Sequence, residues 1–190
     1  MSLSARFECA FQYAAVLHAH QKRKGTDIPY ISHLLAVAGL VIENGGTEDE
    51  AIAALLHDAV EDAGGRGRLS DIRARFGEAV AEIVTGCSDA DVIPKPPFAE
   101  RKQAYLADLK KGSPSVLLVS CADKVHNARA ILSDYEEQGE ALWGRFNGGR
   151  EGTLWYYRAL ADEFLRLGPE RLSKELDRVV AEIEKLAAKV

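Results

Sequence analysis

The chain has 190 residues, of which 47% are hydrophobic and 28% are charged, and its formal net charge is −5. This composition is typical of a globular domain with its own core, and it excludes a dedicated nucleic-acid binder, which would carry a basic surplus. No apolar run approaches the roughly 20 residues of a membrane-spanning helix, so we expect no membrane association. We expect one domain over residues 1–190, with a motif-bearing core at about 7–165 and a last helix at about 169–190.

The three cysteines, Cys9, Cys87 and Cys121, are odd in number and have no paired spacing. Each lies in an apolar helical context, which is typical of a buried free thiol in a reducing compartment. The first residues lack a basic stretch followed by an apolar one, so the sequence predicts no signal peptide. Together these features predict a cytoplasmic protein.

Hydrophobic periodicity is helical almost throughout the chain, and alternating strand patterns are missing. The first predicted helix runs from about Ser4 to Lys24, where basic residues before Gly25 suit a helix C-terminus. A short turn leads to a second helix at about Tyr30 to Asn44. Thr47 and Glu50 have the capping-box spacing that opens a third helix, which is expected to carry the most polar stretch of the chain.

The rest of the chain also has helical patterns. The segment 89–97 contains three prolines and cannot be a regular helix, so it is a candidate lid or rim loop. Ser113 and Pro114 have the N-cap and N1 pattern of a helix start. Helices are predicted at about 70–75, 77–88, 98–111, 114–133, 137–146, 151–167 and 169–190. The sequence therefore predicts an all-α fold, a single helical domain of about nine or ten helices.

The most polar stretch begins where an apolar run ends. Its metal-ligand and acid–base residues are His57, Asp58, Glu61 and Asp62. If the stretch is helical, residues four apart share a face, so His57 lies over Glu61 and Asp58 lies over Asp62. Clustered carboxylates repel each other unless a divalent cation neutralises them. The alternative is a helix C-terminus that runs into a solvated acidic loop.

Two further residues are candidates for the same metal site. His33 lies on the apolar second helix, where a lone histidine is otherwise a satisfied core residue. Asp123 follows a buried apolar run, where an aspartate should be ligated or paired, here with Lys124 or Arg129. Two histidines and two aspartates from three helices suit Mn²⁺ or Fe²⁺ better than a structural zinc ion. The two spare carboxylates of the polar stretch could then orient and deprotonate a water molecule.

Six segments of the chain form an ordered set: 18–25 (HAHQKRKG), 29–33 (PYISH), 55–62 (LLHDAVED), 76–77 (FG), 122–129 (ADKVHNAR) and 154–157 (LWYY). This set resembles the HD-domain phosphohydrolases, and among them the ppGpp hydrolases of the RelA/SpoT type and the small stand-alone, MESH-like enzymes. The resemblance covers about residues 7–165. A bare His-Asp pair is a weak signal, whereas the ordered set with matching separations is specific.

The resemblance implies a role for each matched residue. It implies that Mn²⁺, or else Fe²⁺ or another divalent ion, is bound by His33, His57, Asp58 and Asp123. It implies that Glu61 and Asp62 position and activate the attacking water. Substrate contacts are implied for Arg23 (stacked on the guanine base), Lys24, Asn127, Arg129 and Tyr156 or Tyr157. The implied reaction removes the 3′-pyrophosphate of ppGpp or pppGpp and yields GDP or GTP plus pyrophosphate.

Two departures from the family pattern affect nucleoside specificity more than hydrolysis. Leu34 stands where many relatives have proline, and Ala130 stands where the long enzymes often have threonine.

A second hypothesis is therefore an HD phosphohydrolase that acts on another nucleotide, such as a deoxynucleoside monophosphate or NADPH. A third is a catalytically silent alarmone-binding module. That module would be expected to have lost a metal ligand or a catalytic acid, and the sequence retains all six.

Some of these residues also have purely structural explanations. Arg23 and Lys24 could form a charge run at a helix end, and Trp155 could be a core aromatic. The last helix could close the core or provide a homodimer surface.

We expect the binding partner to be a small guanosine nucleotide, and we expect no binding to nucleic acid or to a membrane.

Overall fold

The computed structural model describes residues 2–62, 65–88 and 96–189, without the side chains of residues 61, 62, 65 and 66. The described residues form ten α-helices, α1–α10, and one 3-10 helix, which confirms the predicted all-α class. The helices are α1 Ala5–Leu17, α2 Ile31–Glu43, α3 Glu48–Leu56, α4 Ala59–Asp62, α5 Gly65–Phe76, α6 Glu78–Cys87, α7 Phe98–Leu109, α8 Pro114–Gln138, the 3-10 helix Gly139–Arg145, α9 Gly149–Leu167 and α10 Glu170–Ala187. In this part of the chain, no helix is both long and apolar enough to cross a bilayer.

α3 is the central helix of the fold. Its residues from Ala51 to Leu56 are all fully buried, and it packs against α1, α2, α6 and α8. A helix that is apolar all round can be stable only when neighbours cover every side. Its start is fixed by the predicted capping box, in which Thr47 Oγ1 accepts from the Glu50 amide and Glu50 Oε2 accepts from the Thr47 amide. The C-terminal end of α3 therefore lies in the middle of the protein.

The first predicted helix is shorter than expected, because α1 ends at Leu17 and not near Lys24. The chain then turns and doubles back over residues 21–30. The Arg23 amide donates to the Ile28 carbonyl at 2.8 Å, and the Tyr30 amide donates to the Gln21 carbonyl at 2.9 Å. These cross-loop bonds compete with further helical bonds, and Gly25 closes the loop with φ +73°. Arg23 and its neighbour Lys24 are thus carried by a loop, so the helix-end explanation for them is wrong.

Other boundaries differ in the C-terminal half. α8 continues to Gln138, beyond the predicted end near residue 133, and the helix predicted at 137–146 is the 3-10 helix. Gly139, with φ +57°, ends α8, because this backbone conformation cannot continue an α-helix. α10 packs on α8 and α9 and buries most of its apolar face, so it closes the core.

The cysteines are free, and two of them are buried as expected. Burial raises the pKa of Cys87 to about 11 and that of Cys121 to about 12. The expectation for Cys9 is wrong, because its thiol is exposed. Cys9 lies on the outer face of α1, while Ala10 and Ala14 face the core.

Two glycines at the start of α9 contact the ring of Phe98, the first residue of α7: Gly148, which precedes the helix, and Gly152 in its first turn. A Cβ atom on Gly148 would lie 2.6 Å from the Phe98 ring, and one on Gly152 would lie 3.2 Å away. We expect Gly148→Ala to displace the ring and to lower the free energy of unfolding by about 1–3 kcal/mol, with a smaller effect for Gly152→Ala. Chemical denaturation measures both. Gly39→Ala is the control, because its Cβ meets nothing within 4 Å and a helical alanine is favourable. Equal stability of the Gly148 and Gly39 variants would contradict this packing.

Candidate metal centre

α3 ends at Leu56, and α4 begins at Ala59. His57 and Asp58 form the turn between these helices, so the expectation of one continuous helix through this stretch is wrong. On a continuous helix, adjacent side chains point about 100° apart and do not face each other. Both side chains nevertheless reach the same small volume, since Nε2 of His57 and Oδ2 of Asp58 lie 3.0 Å apart.

Four side chains converge beside this turn. His33 comes from α2 and Asp123 from the middle of α8. Nε2 of His57 lies 3.0 Å from Oδ2 of Asp58 and 3.7 Å from Oδ1 of Asp123. Nε2 of His33 lies 3.2 Å from Oδ1 of Asp123 and 3.6 Å from Oδ2 of Asp58. The structure thus brings together the four residues that the sequence singled out as candidate metal ligands.

The ring of His57 is oriented by the backbone of the preceding helix, α3. Its Nδ1 donates a hydrogen bond to the carbonyl oxygen of Ala54 at 2.8 Å. A neutral His57 then carries only a lone pair on Nε2, which is buried without a hydrogen-bond donor. The atoms that approach this nitrogen are the carboxylate oxygens of Asp58 and Asp123, which are acceptors as well. Buried acceptors in contact require a proton or a cation between them.

The charges of the cluster fit a bound cation. Burial alone would lower the pKa of His57, but the carboxylates of Asp58 and Asp123 raise it well above its usual range. Burial would raise the pKa of both aspartates, but His57 holds the pKa of Asp58, and Lys124 that of Asp123, well below the usual range. The fold therefore keeps both carboxylates ionised, although Asp123 is buried and Asp58 is partly buried. Two carboxylates with two imidazoles are a donor set that suits a divalent transition-metal ion.

Metal binding is expected to depend on pH, because His57 must lose its proton to act as a ligand. In the ion-free protein, the raised pKa of His57 keeps the ring protonated above its usual value near 6.5. Each bound ion should therefore release about one proton, and the apparent Mn²⁺ affinity should rise up to about tenfold per pH unit between roughly pH 6 and 8. Calorimetry in buffers of different ionisation enthalpy counts the released protons. A flat affinity without proton release would contradict ligation by His57.

Hydrogen bonds from neighbouring side chains hold both carboxylates. The Tyr30 hydroxyl donates to Oδ2 of Asp58 at 2.5 Å. Nζ of Lys124 donates to Oδ2 of Asp123, and Nδ2 of Asn127 donates to Oδ1, each at 2.5 Å. The ion pair with Lys124, which was the alternative explanation for a buried aspartate, is therefore present beside the contacts to the histidines.

A further histidine of α8, His126, lies against the cluster. Its Nδ1 is 2.8 Å from Nδ1 of His33, and the two ring centroids are 4.8 Å apart. Burial lowers the pKa of His126 to about 4, so its ring is neutral near pH 7. Sequence reasoning missed this contact, because no local pattern in either segment indicates that these two residues, 93 positions apart, are neighbours.

A cavity of about 400 Å³ opens beside the cluster, with Asp58 and Asp123 in its wall. Its cationic lining residues are Arg23, Lys24, Arg101, Lys102, Lys124 and Arg145. This concentration of positive charge favours a ligand with several phosphate groups. Sequence reasoning assigned Arg23 and Lys24 to the substrate and named Lys124 only as a possible ion-pair partner of Asp123. Arg101, Lys102 and Arg145 resemble ordinary surface charges in the sequence, and only the packing of α7 and the 3-10 helix brings them here.

The loop over residues 21–30 delivers two of the predicted substrate contacts to this cavity. Nη2 of Arg23 donates to Oδ1 of Asn127 at 2.7 Å, and its guanidinium carbon lies 5.9 Å from the centre of the Tyr30 ring. Nζ of Lys24 lies 3.4 Å from Oδ1 of Asn147. Because Asn127 also donates to Asp123, hydrogen bonds connect the cavity wall to the candidate ligands.

Two predicted substrate contacts lie elsewhere. Arg129 is half-exposed and pairs with Glu175 of α10, outside the lining that the described residues form. Tyr156 lines an adjoining cavity of about 200 Å³, and Tyr157 lines both cavities. The expectation that Trp155 is a core aromatic is wrong, since it is 41% exposed. It points about 100° away from its buried neighbour on α9.

Two predictions fall outside the described residues. Glu61 and Asp62 are the last residues of α4, and their side chains are not described. Most of the candidate lid, residues 89–95, is likewise not described. Both remain predictions.

The chain is similar to proteins of known activity. It is 38% identical over 125 residues to the guanosine-3′,5′-bis(diphosphate) 3′-pyrophosphohydrolase MESH1 of Xenopus tropicalis, covering 64% of this chain and 67% of that protein. It is 36% identical over 176 residues to a GTP pyrophosphokinase of Streptomyces coelicolor, covering 90% of this chain. It spans only 19% of the length of that kinase.

A solved structure has the same fold. It belongs to a metazoan ortholog of SpoT described as hydrolysing ppGpp, with a TM-score of 0.79 and 26% sequence identity. The match covers 96% of this chain and 98% of that one. The HD domain family model matches residues 10–154, which include all four candidate ligands. The chain therefore belongs to the HD domain family.

Proposed function

We propose that this chain is a divalent-metal-dependent hydrolase that removes the 3′-pyrophosphate of ppGpp or pppGpp and yields GDP or GTP plus pyrophosphate. The observation that carries the proposal is the cluster of buried His33, His57 and Asp123 with partly buried Asp58, at the wall of a cavity lined by six cationic side chains. The printed activities of MESH1 and of the metazoan SpoT ortholog support the same reaction.

The metal ligands in this proposal are His33, His57, Asp58 and Asp123, and the proposed ion is Mn²⁺. When bound, a divalent ion supplies Lewis acidity at the phosphoryl group and lowers the pKa of water. The ligand set has no cysteine and comes from three separate parts of the fold, which suits a catalytic centre better than a structural zinc site.

Side chains of the protein accept and donate the protons of the reaction and stabilise the charge of the leaving group. We propose that Glu61 and Asp62, three and four residues after Asp58, position a water and accept its proton. The water oxygen attacks the phosphorus that is attached to the 3′ oxygen. The bond between this phosphorus and the 3′ oxygen breaks, and the 3′ oxygen takes up a proton. The cationic side chains of the cavity stabilise the negative charge that pyrophosphate carries away.

The nucleoside is proposed to lie near the 21–30 loop. The planar guanidinium of Arg23 can stack on guanine, and Lys24 is close enough to contact phosphate. Ala130 lines the cavity with a methyl group, so it offers no hydroxyl to the ribose. Neither Arg129, which is paired with Glu175, nor Tyr156 is part of this arrangement.

A product assay tests the reaction. Purified protein is incubated with MnCl₂ and ppGpp, and the products are separated by anion-exchange chromatography, with chelator-treated protein as the control. GDP and pyrophosphate, formed only with metal, are the expected products. Deoxynucleoside monophosphates and NADPH are tested in parallel. Phosphate release from one of these without turnover of ppGpp would support metal-dependent hydrolysis and contradict ppGpp as the substrate. The cytoplasmic location and a homodimer remain predictions.

A further inference from the structure

The two histidines of the cluster are oriented by different kinds of partner. Nδ1 of His57 donates to a backbone carbonyl, which can only accept a hydrogen bond. Nδ1 of His33 instead lies 2.8 Å from Nδ1 of His126, a nitrogen that can either donate or accept. His33 is 1% exposed, so no bulk water competes for this contact.

The position of each proton follows from the geometry. Nε2 of His33 faces Asp123 and Asp58 at 3.2 and 3.6 Å, and it must carry a lone pair to bind an ion there. The single ring proton of a neutral His33 is then on Nδ1, which donates to His126. Nδ1 of His126 must accept, so the proton of His126 is on its Nε2. The opposite arrangement would put the proton of His33 on the atom that should bind the metal.

We propose that His126 is a positioning residue for the metal centre: its Nδ1 accepts the Nδ1–H of His33 and thereby fixes the tautomer and the ring orientation of this ligand. The inference rests on the metal centre proposed above, but not on the identity of the substrate. Hydrogen bonds to the second ring nitrogen of a metal-binding histidine typically contribute about 10- to 100-fold to metal affinity.

Position 126 allows a matched pair of variants. Oδ1 of an asparagine lies three bonds from Cα, as does Nδ1 of histidine, so His126→Asn keeps an acceptor near the same place. His126→Leu has a side chain of similar size without an acceptor. His20→Leu is the control for loss of a histidine, because His20 is exposed. We expect Mn²⁺ affinity, measured by competition with a chelator, to fall about 10- to 100-fold in His126→Leu and only a few-fold in His126→Asn.

Nuclear magnetic resonance of the wild-type protein provides a second readout that needs no mutation. With the ring nitrogens labelled and Zn²⁺ as a diamagnetic ion that imidazoles bind, a scalar coupling should connect the two Nδ1 atoms across the hydrogen bond. The proton should be bonded to His33. A proton on Nδ1 of His126, or no coupling, would overturn the inference even if His126→Leu failed to fold.

The outcomes separate this inference from the proposed function. Wild-type affinity for Mn²⁺ in a folded His126→Leu variant would overturn the role of His126 and leave the metal centre intact. A wild-type protein that binds no divalent ion would overturn both. Failure to hydrolyse ppGpp, with the affinities and the coupling as expected, would affect the proposed substrate alone.

Discussion

Asp58→Asn should reduce ppGpp hydrolysis by about 10³-fold or more, because it removes a charged ligand while keeping the size of the side chain. The several kcal/mol that a metal ion contributes to phosphoryl transfer correspond to at least this factor. The Tyr30 hydroxyl can still donate to the amide oxygen of the variant, so the fold should be retained. The loss should therefore come from the metal and not from unfolding.

Thermal unfolding with and without Mn²⁺ separates these causes. A ligand that binds only the folded state raises the melting temperature, so the wild type should be stabilised by Mn²⁺ and Asp58→Asn should not be. Asp71→Asn is the matched control, since Asp71 contacts Tyr13 and Arg75 away from the cluster. An Asp58→Asn variant with wild-type turnover and the full metal-induced shift would refute the proposed ligand set.

Glu61→Gln and Asp62→Asn should each lower kcat by about 10²- to 10⁴-fold, the usual contribution of a positioned general base. Neither residue belongs to the four-ligand set, so both variants should keep their Mn²⁺ affinity and the metal-induced rise in melting temperature. This combination differs from that expected for Asp58→Asn, which loses both activity and metal.

Steady-state kinetics with saturating Mn²⁺, together with the same unfolding experiment, provide the measurement. A fall in kcat without a change in metal affinity supports a role in activating water. Full turnover of either variant with metal bound would remove that residue from the proposed mechanism. Loss of metal in either variant would make it a ligand instead.

The features of the site that could be predicted from the sequence are those that depend on residue type. His57 and Asp58 stood out because they lie beside further carboxylates, and Asp123 because it follows a buried apolar run. His33 alone was a weak candidate, and the fold brings all four together. The orientation of these side chains could not be predicted in the same way. The turn at 57–58 and the contact with His126 depend on how α2, α3 and α8 pack.

Charged residues were the hardest to assign, because a lysine or arginine has a similar local context on any surface. Arg129 was expected at the substrate, but Glu175 of α10 is within its reach and holds it elsewhere. Arg145 was not singled out, yet it lies across Gly25 and lines the cavity. A long flexible side chain goes to the partner that tertiary packing provides.

By itself, the sequence determined the all-α class, the helix starts at Thr47 and Ser113, and the identity of the candidate ligands. Each of these depends on residue type or on spacings of three or four positions, within which helix caps and helix faces are decided. Only the tertiary structure decided that α1 ends at Leu17, that the 21–30 loop folds back, and which cations line the cavity. These depend on hydrogen bonds and contacts between residues far apart in the chain, such as Arg23 with Asn127, for which no local pattern exists.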